Sequence, residues 1–246
     1  MNLDISNTTF CSGFWYVPDN KKYDISHYKK LLPKTLGFIG PQNLVFFYED
    51  ETFKPKYSFF KRERLICSFR EVVKLPTYGV SAEYLDACKR QPLLDPKEKG
   101  ARHYQREYLK SGEDAYRKIF SIWTSKLFLL NEVAQQNPFN TEYVCWIDAS
   151  VSRFKNEREN WDFMSHDFQV KDSTEMLYYQ PRWSMYRNER INGNASFMLS
   201  PIKKMPLLMA AYEKMMDELK HDNYAHDEET ILHEMWKKSP DRFQSI

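Results

Sequence analysis

An α/β domain whose sheet is covered on both faces is the fold that this 246-residue sequence predicts. Three observations point there. Short apolar runs alternate along the chain with segments of helical periodicity, the pattern of strands interleaved with covering helices. Tyr143-Val144-Cys145-Trp146-Ile147 is apolar at five consecutive positions, as a central strand buried on both sides must be. No internal repeat, low-complexity tract or linker divides the chain, so one domain spanning 1–246 is expected.

The elements follow in order. Strands are expected at 8–17, 43–48, 65–73, 143–147, 175–179 and 195–199, each short and rich in β-branched and aromatic residues. Weaker helices are expected at 24–36 and 81–89. The clearest helical period runs over 115–136, where Ile119, Trp123, Leu127, Leu130 and Ala134 recur at three- and four-residue steps. It returns at 207–220, with Leu208, Tyr212, Met215, Met216 and Leu219, and at 227–237, with Ile231, Leu232, Met235 and Trp236. Residues 92–112 are polar and rich in breakers and read as an exposed loop with a short helix.

Composition excludes several functions. Only seven glycines occur, and no two form G-x-G. A glycine-rich dinucleotide turn or phosphate loop therefore cannot be written, and backbone amides cannot crowd a phosphate in the usual way. Net charge is +2, which argues against nucleic acid and against an anionic membrane. Two basic and aromatic patches, 59–64 and 97–110, read as solvated faces on that balance. No apolar run reaches the roughly 18 residues of a membrane span. The N-terminus has no signal-like apolar region, and the four cysteines form no C-x-x-C, so free thiols in the cytoplasm are expected. Neither H-E-x-x-H nor G-x-S-x-G is present, which removes the best-known signals for zinc peptidases and serine hydrolases.

Four places could carry chemistry. Asp148 is the first polar residue after the buried strand, and ligands of open α/β sheets bind beyond the carboxyl ends of strands. It could hold Mg²⁺ or Mn²⁺ against a phosphate, or cap the following turn. Asp227 and Glu228 open the last helix, where acids complement the helix dipole and Asp is a good N-cap; a carboxylate there could also serve a sugar hydroxyl or act as base. Asn192-Gly193-Asn194 suits a turn, or a turn whose amides read a polyhydroxylated ligand. Lys126 could snorkel to solvent or meet a diphosphate.

In chain order, Ser12-Gly13-Phe14-Trp15, Asn43-Leu44-Val45-Phe46-Phe47-Tyr48-Glu49-Asp50, Ile122-Trp123-Thr124-Ser125-Lys126, Asn137-Pro138-Phe139, Trp146-Ile147-Asp148-Ala149-Ser150, the 192–197 segment, Asp227-Glu228 and Pro240-Asp241-Arg242-Phe243 resemble the HtrL/YibB-type family of GT-A-like glycosyltransferases. The likeness spans nearly the whole chain, and the W-I-D-A block behind the W-x-x-K helix is its most specific part. It implies a single GT-A-like domain with a mixed, mostly parallel sheet flanked by helices. It also implies a UDP- or GDP-sugar donor, a glycan or glycoconjugate acceptor, and Mn²⁺ or Mg²⁺ as cofactor. GT-A enzymes usually carry D-x-D, and its place is taken here by Asp148-Ala149-Ser150, so Asp148 and Ser150 become the expected metal ligands. Lys126 would add positive charge at the diphosphate, and Arg153 would face phosphate or solvent. Trp15, Tyr16, Glu49 and Asp50 would flank the nucleotide. Asn192, Gly193 and Asn194 would contact donor sugar or acceptor. Asp227 is the expected base or donor-sugar contact, with Glu228 second. Scarce glycine fits a site that holds a diphosphate through side chains and metal. Trp183, with Trp15 and Tyr16, is a candidate for ring stacking. The chain's end soon after Phe243 suits one domain of a longer protein. The competing reading is a non-catalytic module that binds a glycan or a nucleic acid on the same fold, suggested by the missing second aspartate.

Overall fold

The structure is a computed structural model that describes residues 5–20, 23–56, 58, 60–89, 108–153, 169–178, 182–184, 189–221 and 227–245. Strands are β1 (Thr8–Phe14), β2 (Asn43–Tyr48), β3 (Leu65–Phe69), β4 (Tyr143–Ile147), β5 (Met176–Tyr178), β6 (Arg182–Ser184), β7 (Glu189–Ile191), β8 (Phe197–Pro201) and β9 (Phe243–Ser245). Helices are α1 (Ile25–Ile39), α2 (Ser81–Lys89), α3 (Glu113–Thr124), α4 (Lys126–Gln136), α5 (Met205–Leu219) and α6 (Glu228–Lys238). Seven strands form one sheet in the order β3-β2-β1-β4-β8-β5-β9, and β6 pairs with β7 separately. Strand β8 runs antiparallel to both of its neighbours, and the other pairings of the large sheet are parallel. This is the mixed, mostly parallel sheet flanked by helices that the sequence predicts.

Alternation along β4 explains how both faces are covered. Val144 and Trp146 point into one core with Leu127 and Leu130 of α4, Leu208 and Tyr212 of α5, and Ile231 and Leu232 of α6. Tyr143, Cys145 and Ile147 point into the other, with Leu32, Leu36 and Ile39 of α1. Each such buried side chain contributes roughly 1.5–3 kcal/mol relative to exposure. Cys11 and Cys145 are buried free thiols, as the sequence suggests, and burial pushes both well up from the ordinary thiol range.

The long helix expected over 115–136 is interrupted at Ser125. The Thr77 hydroxyl lies 2.7 Å from Thr124 Oγ1 and 2.8 Å from Ser125 Oγ, and donates to the Ser121 carbonyl at 3.3 Å. A side chain inserted into the ladder breaks the helix locally. Ser125 N still donates to Ser121 O, and Leu129 N to Ser125 O, so the two halves stay nearly continuous. The break makes Lys126 the first residue of α4.

The edge strands β6, β7 and β9 were not expected from sequence. The segments expected at 65–73 and 8–17 end as strands at Phe69 and Phe14. The loop expected at 92–112 falls mostly outside the described residues. Among the described residues no helix is long and apolar enough to cross a membrane.

Candidate functional site

The chain proceeds from β1 to β2 on one side of β1, and β4 pairs on the other side. The carboxyl ends of β1 and β4 therefore flank a point where the strand order reverses, the place where open α/β sheets leave a crevice. A cleft of about 130 Å³ lies there. Residues 13–17 leave β1 along one wall, and Trp146, Asp148, Ala149 and Ser150 leave β4 along the floor. Tyr23, His27 and Tyr28 approach from the start of α1, and Ile119, Ile122, Trp123 and Lys126 from α3 and α4.

Local chemistry fixes the walls. Asp24 caps α1, its Oδ1 accepting from His27 N at 2.8 Å. That starts the helix where Tyr23 and His27 stack, with ring centres 4.1 Å apart and planes 13° apart. The Trp15 indole donates to Arg70 O at 2.7 Å and lies over Gly13, where an added Cβ would sit 2.6 Å from the ring. Glycine at 13 is needed for that close approach.

The floor is a buried ion cluster. Lys126 Nζ is 2.7 Å from Asp148 Oδ1 and 2.5 Å from Glu228 Oε1. Trp146 Nε1 donates to the same Asp148 oxygen at 3.0 Å. Lys126 is 5% exposed and Glu228 6%. Burial works against the charge on Lys126, but Asp148 and Glu228 outweigh it and hold the proton more tightly than in an ordinary lysine. Burial pushes the Glu228 carboxyl up to about 7; Lys126 opposes the shift, and Asp227, Glu229 and Asp148 add to it. A carboxylate so perturbed beside a cleft is a recognised mark of a functional site.

The expected site residues divide into two groups. Trp15, Tyr16, Lys126, Asp148 and Ser150 line one cleft, and Glu228 joins it through Lys126. The others serve the fold around it. Asp227 is the N-cap of α6, its Oδ1 accepting from Thr230 N and Oγ1, each at 2.8 Å. Glu49 accepts from Val72 N at 3.1 Å, and Asp50 caps the turn at Thr52 N at 2.8 Å. Neither lines the cleft. Asn192 Oδ1 accepts from Tyr178 OH at 2.8 Å, and its N–H donates to His233 Nδ1 at 3.1 Å. Asn194 Oδ1 accepts from the Ser196 N–H and hydroxyl. Gly193 sits at φ 87°, and an added Cβ would meet Leu232 Cβ at 2.8 Å. The 192–194 turn thus packs against α6, and Asp148 N donates to Ser196 O just beyond it. The side chains of Arg153 and Trp183 lie outside the described residues.

Tyr23, His27 and Tyr28 were missed by sequence reasoning. Their signal was an aromatic residue just before the capping Asp24, with His27-Tyr28 in the first turn behind it. That places the three side chains at one helix start but does not say which cleft they meet.

Among the described residues the donor set does not fit Mn²⁺ or Mg²⁺. Among the described residues no group of three or more His, Cys, Asp or Glu is placed to hold a metal. Asp148 and Glu228 are bridged by an ammonium, and one Asp148 oxygen already receives two donors. A divalent ion at a nucleotide site takes one or two carboxylates together with phosphates and water, and here both candidate carboxylates already hold the Lys126 ammonium.

No family model and no curated protein matches the sequence. Among solved structures, the apo form of mouse xyloside xylosyltransferase 1 aligns over 97% of this chain and 84% of its own, at 11% identity and a TM-score of 0.45. The functional reading rests on the cleft itself.

Proposed function

We propose that this chain is a GT-A-like glycosyltransferase of the HtrL/YibB type that moves a sugar from a nucleoside-diphosphate donor to a hydroxyl of a glycan or glycoconjugate. The observation that carries the reading is the convergence of Asp148, Lys126, Trp15 and Tyr16 on one cleft at the reversal of strand order. In the reaction, the bond from the anomeric carbon to the phosphate oxygen breaks. A bond from that carbon to the acceptor oxygen forms. The nucleoside diphosphate leaves with the electron pair, and the acceptor hydroxyl gives up its proton.

Each cleft group has a part in this. The Lys126 ammonium at the floor offsets charge that develops on the departing diphosphate. Asp148, aimed by Lys126 and by the Trp146 indole, accepts a hydrogen bond from a sugar hydroxyl. Trp15, Tyr16, Tyr28 and Trp123 offer ring faces to a base or a pyranose. Glu228 does not line the cleft and acts as a positioning residue through Lys126. No step is routed through a metal, because the donor set of the described residues does not fit one.

The test is slow nucleotide release from a panel of UDP- and GDP-sugars, with and without Mn²⁺. Release from at least one donor, lost in Asp148→Asn, is expected. No release and no binding for any donor, with Asp148→Asn indistinguishable from the parent, overturns the reading. The aromatic walls specifically favour a second reading, a glycan-binding module without turnover. It predicts oligosaccharide binding that depends on Trp15 and Trp123 and is indifferent to nucleotide.

A further inference from the structure

We propose that Lys126 is the resident cation of this site, its ammonium occupying the position between Asp148 and Glu228 that a divalent ion would take. Donor binding then needs no added metal; that second part rests on the transferase reading, and the cation assignment does not.

Geometry carries the assignment. The three side chains come from the start of α4, the end of β4 and the first turn of α6, and they meet at one nitrogen. A cation shared by Asp148 Oδ1 and Glu228 Oε1 would sit where Nζ sits. Two of the three ammonium donors are spent on these carboxylates at 2.7 and 2.5 Å. Taking an ammonium out of water costs several kcal/mol, so the lysine persists only because two carboxylates repay it. A purely structural lock joining α4, β4 and α6 would not need to face a ligand, whereas Lys126 and Asp148 both line the cleft.

Titration of Mn²⁺ into the purified chain, followed by its electron paramagnetic resonance signal, tests the assignment without any turnover. Wild type should leave stoichiometric Mn²⁺ in its free hydrated form. Lys126→Ala should take up one equivalent, because two carboxylates lose their cation, and Lys126→Ala/Asp148→Asn should lose that uptake. Uptake of one equivalent by wild type that Asp148→Asn abolishes overturns the proposal. So does a folded Lys126→Ala that takes up none. Should Lys126→Ala fail to fold, the wild-type titration alone decides. Calorimetric titration with UDP and GDP adds the second part: affinities within twofold in EDTA and in Mn²⁺ support it, and a tenfold tightening by Mn²⁺ overturns it. Absence of nucleotide binding in both conditions removes the transferase reading and leaves the Mn²⁺ result standing.

Discussion

Strands β2 and β4 both run out of an apolar core into carboxylates, yet the two ends do different work. Tyr48-Glu49-Asp50 follows β2, and its acids are taken up by nearby backbone: Glu49 by Val72 N, Asp50 by Thr52 N. Ile147-Asp148 follows β4, and its acid is taken up by side chains of Lys126 and Trp146, with Glu228 behind them. The difference is one of place in the sheet. The end of β2 lies between β1 and β3, both parallel to it, with no reversal of strand order. The end of β4 lies beside the reversal, where loops part and leave a crevice. An acid after a strand is a functional candidate because of the strand's neighbours, not because of the acid.

The largest expected effect breaks the comparison at its strong end. Asp148→Asn should lower donor-dependent nucleotide release by about 100-fold or more, since a preorganised charged partner at a reacting centre is worth that order. The same Asp→Asn change at Asp50 is the control, expected to alter release by less than about twofold. Equal losses at both would show that position at the reversal is irrelevant.

Glu228 comes next, and its signature is pH. Its folded carboxyl is shifted up to about 7 by burial, against roughly 4.3 in an unfolded chain. Between those values the folded state holds the proton more tightly, so stability falls as pH rises. The contribution is fully present below about pH 4 and is lost as pH passes 7, on the order of 4 kcal/mol. Denaturant unfolding from pH 4 to 8 should show that decline in the parent and a flatter profile in Glu228→Gln. An unchanged slope in the variant would assign the titration to another group.

Much of this was legible in the sequence. The five-residue apolar run of β4 gave the strand, and the polar residue after it gave Asp148. Lys126 was legible as a lysine in an apolar helix, but its partner was not. Asp227 and Glu228 are adjacent, and dipole and cap arguments favour both. Which one turns inward depends on where α6 starts, and Asp227 is consumed as the cap. The break before Lys126 depends on Thr77, 49 residues earlier in the chain, which no local period can report. Strands β6, β7 and β9 are three residues each, too short for an alternation to register.

The Asn192–Asn194 turn tests whether a segment near the cleft can be structural alone. Gly193→Ala combines a positive φ of 87° with a Cβ 2.8 Å from Leu232. Strain and overpacking together should cost about 2 kcal/mol, read as a lower denaturant midpoint with an unchanged slope. Release per folded molecule should then stay within about threefold of the parent. A far larger loss of turnover without loss of stability would return the turn to the ligand-reading role the sequence allowed.

The smallest effect belongs to the quiet end of the comparison. Asp50 is exposed and holds one turn N–H. That hydrogen bond keeps its carboxyl below the usual aspartate range. A surface cap of this kind is worth a few tenths to about 1 kcal/mol. For a chain of this length that is roughly 1–3 °C in melting temperature. Asp50→Ala should therefore shift the melting temperature by about that much and leave nucleotide affinity within twofold. Calorimetric melting and UDP titration on the same sample measure both. Loss of nucleotide affinity at unchanged melting temperature would mean that β2 also contributes to the cleft, and the distinction between the two strand ends would fall.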